Sequence, residues 1–141
     1  MPAHPENSAS ERPGLLQREA WLRKHADYQR VYREGKRQSL PLMTYFFATR
    51  AVAEGRKTSA GSRVGLTAGR VLGNAVARNR IKRRMRAAIR MHRMELTADV
   101  DVILHPRKTV LEAEFSRIER DVLRAFRAVQ SSVAGKDSLP G

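Results

Sequence analysis

The stretch RVGLTAGRVLGNAVARNRIKRRMR, residues 63–86, decides how this chain is organised. Its first six residues, Arg63 to Ala68, place Val64, Leu66 and Ala68 on one side of an extended chain, which reads as a strand with one buried face. Gly69 and Gly73 bracket a turn. Apolar residues then recur every three or four positions, predicting a helix from Asn74 to about Met94. At ~100° per residue, Ala77, Ile81, Met85, Ala88 and Ile89 fall on one stripe, suited to packing on a sheet. Asn79, Lys82, Arg83, Arg86, Arg90 and Arg93 gather opposite, with Arg78 and Arg80 on the flanks.

The charge of this segment points to its partner. From Gly55 to Met94 there is no acidic residue, while twelve residues are Lys or Arg, eight of them in the predicted helix. Like charges at i,i+3 and i,i+4 repel by a few tenths of a kcal/mol each, roughly, so a merely solvated face explains the pattern poorly. Arg outnumbers Lys seven to one in the helix, and its planar fork suits phosphate oxygens and base faces. Asn74 is placed to cap the helix start, leaving other free N–H groups facing any phosphate. Gly73 alone indicates only a turn. Arg63 and Arg70, just upstream, extend the patch.

The rest of the chain agrees. Lys and Arg total 28 against 14 Asp and Glu, a formal charge of +14, which self-repels until a polyanion neutralises it. A membrane is the rival polyanion, but no helix pairs its basic residues with large exposed aromatics. With no Cys, disulfides, Cys-type zinc sites and thiol nucleophiles are excluded. No signal-peptide stretch or bilayer span is visible, so a soluble, cytoplasmic protein is expected.

Working outward, a helix is expected from about Gln17 to Glu34, with Leu22, Ala26 and either Gln29 or Val31 on one side and Gly35 as a C-cap. Leu40–Thr49 reads as a strand that Pro41 keeps at its start or at an edge, and Ala53–Ser62 as a loop. Val100–Leu104 reads as a short buried strand stopped by Pro106, and Leu111–Val129 as a closing amphipathic helix. The fold class is α+β, one domain over residues 15–130, with a disordered lead-in at 1–14 and a flexible tail at 131–141.

Residues 63–86 resemble the signature of the bacterial ribonuclease P protein family: a strand, a Gly-Asn-Ala-Val turn, then Arg-Asn-Arg-x-Lys-Arg-x-x-Arg on a helix. Gly73, Asn74, Ala75, Val76, Arg78, Asn79, Arg80, Lys82, Arg83 and Arg86 match it in place without a gap. Asp27-Tyr28-x-x-Val31-Tyr32-x-x-Gly35 is similar to the family's first helix, and Asp101–Leu104 to its last strand. The resemblance implies a sheet of about four strands with three helices and a left-handed βαβ crossover, against the usual handedness. It implies that Arg70, Asn74, Arg78, Asn79, Arg80, Lys82, Arg83, Arg86 and Arg90 meet a catalytic RNA subunit, the ribonuclease P RNA. It further implies that a cleft with Tyr28, Tyr32, Phe46 and Arg63 holds the single-stranded 5′ leader of precursor tRNA. Mg2+ would be held mainly by the RNA, and no membrane or protein partner is implied. Two departures stand out: Val71 follows Arg70 where the family is basic twice, and Tyr28 and Tyr32 replace Phe.

No catalytic residue is assigned to the protein. His4, His25, His92 and His105 are scattered, and Glu112, Glu114, Glu119 and Asp121 read as the solvated side of the last helix. Two other readings compete. A structural RNA-binding protein of ribosomal type needs the basic helix but no aromatic cleft. A DNA reader is disfavoured, because Arg on almost every turn suits phosphate contact more than base readout.

Overall fold

A computed structural model describes residues 20–50 and 61–138. The expected lead-in at 1–14, most of the 53–62 loop and the start of the first expected helix lie outside them. Three helices and four strands follow in the order α1 (His25–Glu34), β1 (Lys36–Ser39), β2 (Met43–Thr49), β3 (Arg63–Leu66), α2 (Ala75–His92), β4 (Val100–Pro106) and α3 (Phe115–Ser138). The strands form one mixed sheet in the order β1-β2-β4-β3. β2 pairs antiparallel with β1 and β4, whereas β3 runs parallel to β4, with α2 carried in the connection between them. The α+β class is as the sequence indicated.

Alternation along the strands sorts side chains onto two faces. Tyr45 and Phe47 on β2, Val64 on β3 and Val102 and Leu104 on β4 join the main core with α2 and α3. That core takes in Ile81, Met85, Ala88 and Ile89 of the predicted α2 stripe, all fully buried, while Ala77 at its start is only half-buried. On the other face Phe46, Ala48 and Ile103 meet Leu22, Tyr28 and Val31 beneath α1. α1 covers only part of that face.

Several expectations are corrected. α1 begins at His25 rather than Gln17. Leu22 has helical spacing, but its N–H donates to the Val64 carbonyl (2.8 Å) and Trp21 bridges Val64 in parallel, so the segment runs extended along the β3 edge. Gly35 does end the helix, its N–H donating to Val31 (2.8 Å), yet with an extended backbone rather than a left-handed cap. β1 was not foreseen. The 40–49 strand starts at Met43, the 63–68 strand stops at Leu66, and the 100–104 strand runs on through Pro106. α3 starts at Phe115, after a 3-10 turn over Lys108–Leu111, and continues through Ser138 where a flexible tail was expected. Val133 is buried in the core, extending the Val122, Phe126, Val129 stripe by one more turn.

Candidate RNA interface

The start of α2 is set by two adjacent residues. Gly73 has φ +118°, a conformation that side-chain-bearing residues rarely adopt, and a Cβ there would sit 3.2 Å from that of Ala77. Asn74 then caps the helix, its Oδ1 accepting from the Ala77 N–H at 2.9 Å. The cap occupies that oxygen, so Asn74 acts first by aiming the helix.

The cations along α2 divide by what they touch. Arg84 donates to the carbonyls of Val110, Leu111 and Ala113, stapling α2 to the 3-10 turn ahead of α3. Arg93, expected on the basic face, instead donates to the Leu96 carbonyl (2.8 Å) and Ser62 carbonyl (3.2 Å). The helix ends at His92, and the 3-10 turn over Arg93–Glu95 swings the side chain inward, where burial lowers its pKa. Among the described residues, Arg70, Arg78, Arg80, Lys82, Arg83 and Arg86 have no ion-pair or hydrogen-bond partner for their side-chain charge. Arg78 even keeps its Nε buried without a partner. Six cations on and just before one helix are thus left for an external anion. Asn79 lies exposed beside them.

A second cluster of arginines behaves oppositely. Asp101 is fully buried, and Arg63 meets it bidentately, Nε to Oδ1 at 2.8 Å and Nη2 to Oδ2 at 2.7 Å. Arg30 donates to the same carboxylate, Arg50 lies 3.6 Å away, and Arg63 Nη1 reaches Asp27 at 3.2 Å. Hydrogen bonding to Asp101 raises the Arg63 pKa, while burial lowers that of Arg50. Arg63, expected to contact the leader, therefore has its donors engaged within the protein. Two of these interactions cross from α1 or β3 to the central strand, so the cluster locks the layers together.

The aromatic residues of the expected cleft do converge, and they add a partner. Tyr32 on α1 meets Phe46 on β2 edge-to-face with centroids 5.0 Å apart. His105 on β4 lies against both, 5.6 Å from Tyr32 and 5.0 Å from Phe46, and its Nε2 is hydrogen-bonded to the Tyr32 hydroxyl at 2.8 Å. Burial, then the nearby Arg37 charge, lowers the His105 pKa and favours the neutral ring. The patch opens into a cleft of about 410 Å³ that Arg37, Val71, Arg107 and Lys108 also line. Arg37 faces it because β1 pairs it with Phe46. Arg107 bonds Thr44 and Leu40, whereas Arg37 and Lys108 have no such partner among the described residues.

Tyr28 plays a different part. Its hydroxyl donates to the Leu22 carbonyl (3.1 Å) and accepts from the Leu66 N–H (3.2 Å), tying the entering segment to β3. A Cβ on Gly65 would come within 2.7 Å of that oxygen, so only glycine admits the ring there. Its centroid is 6.4 Å from that of Tyr32, at the far side of the patch. Sequence reasoning missed Arg37, His105 and Lys108 in the cleft. Alternation from Phe46 could not find them without the β1–β2–β4 register. It also placed Asp121 in solvent; Asp121 is buried and accepts from the Leu42 N–H at 2.8 Å.

Comparison with known proteins agrees with this arrangement. A family model described as Ribonuclease P matches residues 16–130. The ribonuclease P protein component of Desulfovibrio desulfuricans is 30% identical over 129 residues, covering 90% of this chain and 95% of the relative. That of Chloroflexus aggregans is 38% identical over 107 residues, covering 75% and 74%. The Staphylococcus aureus RNase P protein superposes with TM-score 0.60 at 25% identity, over 78% of this chain and 94% of that one. The Thermotoga maritima RNase P protein shares the fold, with TM-score 0.63 at 22% identity, over 77% and 96%. Matched along most of its length in sequence and in fold, the chain belongs to the ribonuclease P protein family, as the protein component of that endoribonuclease.

Proposed function

We propose that the unpaired face of α2 grips the catalytic RNA subunit, while the cleft over Phe46 and His105 receives the single-stranded 5′ leader of precursor tRNA. The observation that carries this reading is the contrast in pairing. Arg30, Arg50, Arg63, Arg84 and Arg93 have carboxylate or carbonyl partners, but Arg70, Arg78, Arg80, Lys82, Arg83 and Arg86 have none among the described residues. Phosphate contacts there would release counterions and make binding steeply salt-dependent. In the cleft, Phe46 and His105, with Tyr32 packed against both at its margin, offer faces for unstacked bases, and Arg37 and Lys108 offer charge for the leader's phosphates. Val71, where the family is basic, lines the same cleft, so Arg37 and Lys108 supply cations that Val71 does not.

The bond-breaking chemistry would belong to the RNA and its Mg2+ ions. Among the described residues no three His, Asp or Glu side chains come together as a metal site, and Asp101 is already neutralised by arginines. The protein's part is to hold the leader and screen phosphates, in the cytoplasm where precursor tRNA is processed.

The test is precursor-tRNA cleavage by a bacterial ribonuclease P RNA at low Mg2+, with and without the protein. Restored cleavage at the mature 5′ end is the expected result. RNA binding that leaves cleavage unmoved would favour the structural RNA-binding reading instead.

A further inference from the structure

The outer edge of the sheet carries a groove separate from the cleft. It has a volume of about 380 Å³ and lies where β3, α2 and the segment entering α1 meet, lined by Trp21, Arg23, Tyr28, Leu66, Arg86 and Arg90. Its floor is fixed by main-chain bonds: Trp21 bridges Val64, and Leu22 donates to the Val64 carbonyl. Trp21 packs against the core but stays partly open. What covers it is a cation, the Arg90 guanidinium, 5.9 Å from the ring centroid.

Two features set this groove apart from an ordinary core margin. No acidic residue lines it. Nor, among the described residues, does Arg23, Arg86 or Arg90 have an ion-pair or hydrogen-bond partner for its charge. A partly open indole with Arg90 over its ring, beside Arg23 and Arg86 guanidinium groups that lack an anionic partner among the described residues, has the chemistry of a site for a base with its phosphate.

We infer that this groove holds an unstacked nucleotide of the RNA subunit, its base against Trp21 and its phosphate against Arg86 and Arg23. The inference rests on the reading that α2 binds that RNA, since Arg86 and Arg90 belong to the basic side of the same helix. The leader is the lesser candidate, because its cleft opens across β2 and β4, beside Tyr32 rather than Tyr28.

Trp21 is the chain's single tryptophan and reports on the groove without mutation. Titrating the full chain with the RNA subunit should quench its emission and shield it from acrylamide, while a leader oligonucleotide should do neither. Trp21→Leu should weaken binding to the RNA subunit about tenfold, and Trp21→Phe should recover most of that loss. RNA binding that leaves Trp21 emission and acrylamide access unchanged overturns the groove assignment and leaves the reading of α2 intact. Quenching by the leader oligonucleotide overturns it too. Failure to bind the RNA subunit at low salt removes the reading of α2 itself, and the groove with it.

Discussion

Two sets of arginines in this molecule share a side chain and differ in everything around it. Arg30, Arg50 and Arg63 converge on one buried carboxylate, Asp101, and hold α1 and β3 to the central strand. Arg78, Arg80, Arg83 and Arg86 stand along α2 with no ion-pair or hydrogen-bond partner among the described residues. The first set is complete within the fold. The second raises the energy of the free protein through like-charge repulsion, and only an external polyanion relieves it. Net charge alone would count these residues equally; pairing separates the cations engaged within the fold from those left without a partner.

The sharpest break of this contrast is Asp101→Ala. Removing the carboxylate takes from Arg30, Arg50 and Arg63 their common partner, and stability should fall by about 3 kcal/mol, the lower part of the range for broken buried pairs, because these side chains still reach water and keep lesser partners. Urea denaturation measures it. A loss within a few tenths of a kcal/mol would mean the cluster does not hold the layers. Arg83→Ala with Arg86→Ala should do the reverse, leaving the melting transition in place or slightly raised. RNA-subunit affinity should drop, and the slope of log K against log salt should flatten by roughly 1–2. An unchanged slope would show that neither side chain meets phosphate.

The cleft supplies intermediate effects. Replacing Phe46 by Leu keeps an apolar residue on the sheet but removes a stacking face, and leader affinity should fall by about 1–3 kcal/mol with RNA-subunit binding unchanged. Binding assays with a precursor tRNA and a leaderless tRNA separate the two. The smallest effect concerns His105. Its folded pKa is lowered by burial and Arg37, so the unfolded chain binds more protons as pH drops. Its contribution to stability is full above the ordinary histidine range and is lost as pH falls through that range towards the folded value. A His105→Gln variant should show a flatter stability–pH profile between pH 7 and 5. A parallel profile would sink that assignment.

Legibility in the sequence followed how locally each feature is determined. α2 was readable because its 3.6-residue period, its glycine turn and its Asn cap all lie within one short stretch. The α3 stripe was equally readable, and stopping it at Val129 overlooked Val133, which keeps the same spacing. β1 was not readable: Lys36-Arg-Gln-Ser39 is wholly exposed and carries no alternation, its structure coming only from β2. The segment before α1 misled because Leu22 fits a helix, yet the β3 edge offered its backbone a partner. Arg93 and Asp121 misled for one shared reason. Each is a single polar side chain that meets a main-chain group far away in the sequence, and no local pattern announces such a capture.

β1 has one more consequence. A sheet in the order β1-β2-β4-β3 has two open margins, each a row of main-chain donors and acceptors that another chain could extend. Along one margin Lys36 and Arg37 place like charges in the path of any approaching strand; along the other, Trp21 and Leu22 already occupy part of β3's free side. Both edges are thereby guarded against strand-to-strand aggregation, which keeps a highly basic protein dispersed during the interval between its synthesis and its capture by RNA.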